Sequence, residues 1–116
     1  MPLILSAGKN AELLQLRTSV LQATGCHVVV AGSTAEAKKI LLAATVDVAV
    51  LCHTFTEDEA REIAAAVKSA NMKSRVCVLF RRMLPANTPL FDLRLDAAEG
   101  PEALVQSVTQ LLRFES

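Results

Sequence analysis

The sequence predicts an α/β domain in which a parallel five-stranded sheet carries helices on both faces, in the doubly wound manner. Two observations about pattern and one about composition lead there. Short apolar runs alternate with stretches of helical period, and the connections between them are brief. The hydrophobic content is 52%, drawn from Ala, Val and Leu with no Trp or Tyr. Strands buried on both faces need such runs of β-branched residues. Right-handed crossovers between successive strands then make the sheet parallel.

The first strand is Leu3 to Ser6, closed by Ala7-Gly8-Lys9. A helix capped by Asn10 follows, with Leu13, Leu16, Val20 and Leu21 at helical spacing, and Gly25 ends it. The second strand is His27 to Ala31. Ser33 and Glu36 have the spacing of a capping box, so Ser33 starts a helix that turns Ala37, Ile40, Leu41 and Ala44 inward. Val46 to Leu51 reads as the third strand, uniformly apolar apart from Asp47. Thr56 and Glu59 form a second capping box, and Glu57, Asp58 and Glu59 suit the positive first turn of the helix it opens. That helix presents Ala60, Ile63, Val67 and Ala70 to the core. Arg75 to Phe80 is the fourth strand and Phe91 to Leu95 the fifth. Between them, Arg81 to Leu90 contains Pro85 and Pro89 and no apolar face of helical period, which predicts a loop with at most one helical turn. Gly100-Pro101 opens the last helix, whose stripe is Leu104, Val105, Val108, Leu111 and Leu112.

The 116 residues suit one domain spanning 1–116, large enough to bury a core without disulfides or metal. No apolar run reaches the ~20 residues of a membrane helix. Lys plus Arg equals Asp plus Glu at 12 each, without the basic excess of a nucleic-acid binder. Zero net charge offers little opposition to self-association, which favours a homodimer. The start, Met1-Pro2-Leu3-Ile4-Leu5, lacks the basic segment of a signal peptide, so a cytoplasmic protein with reduced thiols is expected.

At this point the chain resembles a receiver domain of bacterial two-component signalling, a flavodoxin-like fold. The resemblance rests on Ile4-Leu5 before the first loop, Asp47 to Leu51 ahead of the acceptor position, and Pro101-Glu102-Ala103-Leu104 opening the last helix. It implies strand order 2-1-3-4-5 and a fourth helix, between strands four and five, that is shortened or missing here. It also implies a phosphorylation site, and this chain departs from that site at each position. Gly8 and Lys9 stand where an acidic pair would hold magnesium, and Cys52 where the phosphoacceptor aspartate would be. A hydroxyl residue would match Phe80 or Arg81, and a lysine would fall near Ala97. A lysine ammonium repels magnesium, which wants hard oxygen ligands, and a thiol cannot serve as the acyl-phosphate acceptor. The resemblance therefore implies a pseudo-receiver without aspartyl-phosphate chemistry.

Several residues invite a sharper reading. Ligands of doubly wound folds bind beyond the carboxyl ends of the strands where strand order reverses, which would gather Lys9, Asn10, Cys52, His53 and Thr54. A lysine beside a strand-end cysteine suggests a thiol-based redox sensor or nucleophile at Cys52, whereas a half-buried filler is the plainer account of a free cysteine. Cys26-His27 and Cys52-His53 look like metal pairs, but one begins a strand and the other ends one, about 17 Å apart along a strand. Arg81 and Arg82, with Lys68, Lys73 and Arg75, read as a docking patch or as ordinary solvated surface. The eroded fourth helix would leave Met83, Leu84, Leu90 and Phe91 exposed beside an edge strand, and the last helix would add Leu111 and Phe114.

These readings rank as follows. A stand-alone receiver-like protein-interaction module, phosphorylation-independent and not an enzyme, comes first, with a protein partner in a signalling pathway and no cofactor, nucleic acid or membrane. A thiol sensor at Cys52 and a small-molecule binder at the crevice beyond strands one and three are the alternatives.

Overall fold

The computed structural model describes residues 2–113. Strand β1 (Leu3–Ala7) leads through α1 (Ala11–Gln22) to β2 (His27–Ala31), and α2 (Thr34–Ala43) leads on to β3 (Val48–Leu51). Helix α3 (Glu57–Ala70) then precedes β4 (Arg75–Phe80). After β5 (Leu93–Asp96), a 3₁₀ turn (Ala97–Glu99) runs into α4 (Gly100–Arg113). The sheet order is β2-β1-β3-β4-β5, and every neighbouring pair is parallel.

The period of two along each strand divides the core. Leu5, Ala7, Ala49, Leu51, Val76 and Val78 face one side and pack with Ala37, Ala60, Ile63 and Val67 of α2 and α3. Ile4, Val48, Val50, Cys77 and Leu79 face the other, with Leu21 of α1 and Leu104, Val108 and Leu111 of α4. Each fully buried Val or Leu contributes about 1.5–3 kcal/mol. Burial on both faces is therefore what makes the strands read as unbroken apolar runs. The exception, Asp47, accepts a hydrogen bond from the Leu3 backbone N–H at 2.7 Å. It ties the start of β1 to the residue ahead of β3.

Helices α1, α2 and α3 each start at the cap residue that the sequence predicts, although the full capping box forms at Thr56 and not at Ser33. Asn10, Ser33 and Thr56 each accept a backbone N–H in the first turn of their helix, and Thr56 with Glu59 completes a capping box. Gly25, at φ +90°, follows the end of α1 in the left-handed region that glycine tolerates. Inner faces differ in detail. Leu14, not Leu16, is buried on α1, and Leu16 is 64% exposed. Ala70 is exposed and Ala64 takes its place on α3; Ala44 is the half-buried cap of α2; Ser107 joins the stripe of α4, with Val105 and Leu112 at its half-buried margins.

No helix forms between β4 and β5. Residues 81–92 run instead as a strap across the end of α3. The Ala86 N–H donates to Glu57 Oε1 at 2.9 Å, and Arg94 Nη1 donates to the Pro85 carbonyl at 2.8 Å. Strand β5 begins two residues later than the apolar pattern suggests, because the Phe91 N–H turns back to the Thr88 carbonyl. Asp92 then anchors the strap. Its carboxylate accepts from Lys68 Nζ at 2.6 Å, the Val76 N–H at 2.7 Å and Arg75 Nη1 at 3.3 Å.

Removing the Asp92 carboxylate takes the counter-ion from Lys68 and Arg75 and leaves the N–H of buried Val76 without its acceptor. Asp92→Ala is expected to cost about 2 kcal/mol. Thermal denaturation should show a fall of roughly 8 °C in Tm, whereas Asp92→Asn, which keeps an acceptor, should lose about half as much.

Candidate functional site

The chain leaves β1 and β3 on either side of the point where strand order reverses, and the two exits meet. The Cys52 N–H donates to the Ala7 carbonyl at 2.9 Å, and the Lys9 N–H donates to Thr54 Oγ1 at 2.9 Å. Contact at this junction leaves no room for a side chain at residue 8. A Cβ on Gly8 would lie 2.6 Å from Cys52 Cβ and 3.3 Å from Leu14 Cδ2. Glycine is required here by close approach.

Cys52 is 2% exposed. The group that addresses it is Arg17, whose Nη1 donates to Cys52 Sγ at 2.8 Å. His53 Nδ1 stands 3.7 Å from the same sulfur. Burial holds the His53 imidazole below its ordinary pKa of 6.5, and the charges of Arg17 and Arg81 lower it further. Arg17 was not among the candidates read from the sequence. Its signal was positional, since it lies four residues after Leu13 and four before Leu21, a cation on the buried side of an amphipathic helix.

Lys9 does not serve the thiol. Its ammonium bonds Glu59 Oε1 at 2.8 Å and lies 5.9 Å from the centre of the Phe55 ring. The same bond is the first cause of a Glu59 pKa below its ordinary value, and the Thr56 N–H adds to it. Asn10 is spent on the α1 cap, where Oδ1 accepts from the Leu13 N–H. Of the crevice residues expected to converge, Cys52, His53 and Thr54 remain at the junction with the Lys9 backbone. Phe80, half-buried at the end of β4, shares a small cleft with Cys52, His53 and Arg81. Ala97 lines a different cleft, between α1 and α4, together with Arg17.

The arrangement does not fit a magnesium ion. Residue 8 cannot carry a carboxylate without displacing Cys52, residue 9 brings an ammonium, and residue 52 offers a sulfur already bonded to a guanidinium. Among the described residues no three His, Cys, Asp or Glu side chains cluster so as to hold a metal. Cys77 is buried in mid-strand, and burial pushes its thiol up to about 12.

The surface expected beside the fifth strand is smaller than the sequence suggests. Met83 and Leu84 are 81% and 55% exposed. Leu90 is half-buried against the core, while Phe91 and Leu111, at 7% and 5% exposure, are part of it. The strap supplies the reason, since it folds Phe91 under itself against the α3 side of the sheet. Phe114 lies outside the described residues. Lys68 and Arg75 belong to the Asp92 network, which leaves Arg81 and Arg82 as the exposed cations of the strap.

With this geometry in hand, the comparisons identify the architecture. A response regulator receiver protein from Sinorhizobium medicae superimposes with a TM-score of 0.87, at 22% identity over 99% of this chain and 97% of that one. A receiver domain protein from Clostridium thermocellum matches with a TM-score of 0.85, at 17% identity over 99% and 97%. The response regulator TrrA from Thermotoga maritima, solved in complex with Mg(2+)-BeF, matches with a TM-score of 0.79, at 18% identity over 97% and 100%. No family model and no curated protein matches the sequence. The fold is that of the CheY-like response regulator receiver domains. No helix among the described residues is long and apolar enough to cross a membrane.

The junction makes a sharp expectation. Gly8→Ala should destabilise the protein by about 2 kcal/mol through overpacking, read as a shift of the urea midpoint at constant slope. Cys52→Ala should not rescue it, because the clash is with Cβ, whereas Cys52→Gly should.

Proposed function

We propose that this protein is a receiver-type module of signal transduction that acts by protein contact and carries out no phosphoryl transfer. The observation that carries the reading is the junction itself. A receiver fold whose acceptor position is a buried cysteine bonded to Arg17, beside a glycine with no room for an acid, lacks the donor set for magnesium and the carboxylate for phosphate. Its structural relatives bear the names of response regulators, which supports placing it in a signalling pathway. The partner is a protein, a second copy of this chain first among the candidates, in keeping with a net charge of zero. The contact we assign to it centres on Met83 and Leu84 of the strap, next to the unpaired edge of β5. No nucleic acid, cofactor or catalytic step enters this reading, and the location that suits it is the cytoplasm.

Two arms test it. Incubation with acetyl phosphate and magnesium should leave the intact mass unchanged, and a hydroxylamine-labile gain of one phosphoryl group would contradict the proposal. Sedimentation across a dilution series should show a dimer, weakened at least tenfold by Leu84→Asp or Met83→Asp. A monomer at every concentration would remove the homodimer, and a dimer indifferent to both substitutions would place the contact elsewhere.

A further inference from the structure

An apolar cleft of about 240 Å³ opens between α1 and α4 at the carboxyl end of β4 and β5. Its floor is built by Leu79, Leu95 and Leu104, all buried, and its α1 wall by Leu13, Leu16 and Val20. Ala97 and Gly100, at the turn between β5 and α4, present almost no side chain to it and so keep it open. Leu16, anomalous as an exposed leucine on a surface helix, is explained as a rim residue of this cleft.

One cation borders this apolar space. Arg17 offers five N–H donors, of which one bonds Cys52 Sγ. Among the described residues no carboxylate lies within ion-pair distance of it, although Lys9, Lys38, Arg61, Lys68 and Arg75 are all paired. A half-buried guanidinium whose hydrogen-bond partner among the described residues is a sulfur is short of its natural counter-ion. The other charged group on the cleft, Asp96, is turned to its own backbone, where Oδ1 accepts the Ala98 N–H at 2.9 Å. Arg81, on the far side of Cys52, adds positive potential at the same end.

Small-molecule sites are predominantly apolar with a few placed polar groups that fix orientation. We propose that the α1–α4 cleft binds a small amphiphile with an apolar body and a carboxylate head, the head bonded to Arg17 and the body lying over Leu79, Leu95 and Leu104. The volume sets the size. At about 240 Å³ the cleft lies below the usual range of drug-sized sites, about 300–1,000 Å³, and suits a smaller molecule. A straight-chain acid of about eight carbons is of this size class and polarity. This site is separate from the strap surface, so the proposal stands or falls independently of the reading above.

Octanoate is the probe, with 1-octanol and octylamine as shape-matched neutral and cationic controls, each titrated calorimetrically into the full chain. Octanoate is expected to bind once per chain, at least tenfold more tightly than 1-octanol, with no detectable binding of the amine. Arg17→Gln should erase the preference for acid over alcohol, and Arg17→Lys should keep part of it. Ala97→Leu, which fills the cleft, should abolish binding of acid and alcohol alike while circular dichroism remains native. The wild-type comparison of the ligands does not depend on any variant folding. Equal affinity for octanoate and 1-octanol, an Arg17→Gln affinity for octanoate within twofold of wild type, or no octanoate binding up to about 5 mM would each overturn the proposal.

Discussion

Everything at the carboxyl end of the sheet depends on how closely the turn after β1 approaches the end of β3. With no Cβ on Gly8, Cys52 packs down onto the turn; with Cys52 in that place, Arg17 of α1 can lay its guanidinium on the sulfur. That contact ties the buried side of α1 to the end of β3. It also fixes the cationic character of the junction, because no acid can enter at residue 8 and the Arg17 guanidinium lies on the Cys52 sulfur. A small residue, a sulfur and an arginine thus form one packing unit. Changing one of them without the others is costly in a close-packed interior.

The same unit sits within a receiver fold whose formation does not depend on it. The architecture is carried by packing within the elements and not by the side chains at the junction. The apolar runs of β1, β3 and β4 are buried on both faces, and α3 is fixed by its capping box and an unmistakable inner face of Ala60, Ile63 and Val67. None of these needs an acid at the strand ends. Fold and site chemistry are therefore separable.

This separation also describes what could be read in the sequence. Strand identity was legible from the unbroken apolar runs, parallel pairing from the short crossovers, and strand order from the receiver resemblance. The absent fourth helix was legible from Pro85 and Pro89. The fate of the residues around it was not. A broken helix suggested exposed Phe91, but exposure depends on where the chain goes next, and Asp92 pulls the strap down through partners 16 to 24 residues away. Lys9 was assigned to the thiol by proximity in the loop, yet a long flexible side chain goes to its best partner, and Glu59 at the mouth of α3 is that partner. Arg17 escaped notice because a single cation in a helix normally reads as surface. Only its position on the buried side marked it out.

The central proposal is that the junction is a close-packed arrangement that takes up neither magnesium nor a phosphoryl group. Amide chemical shifts of the ¹⁵N-labelled protein, recorded with and without magnesium and beryllofluoride, test this most directly. The account predicts that Gly8, Lys9, Cys52, His53 and Thr54 keep their shifts throughout the titration. Saturable movement of these amides, dependent on both magnesium and beryllofluoride, would contradict it.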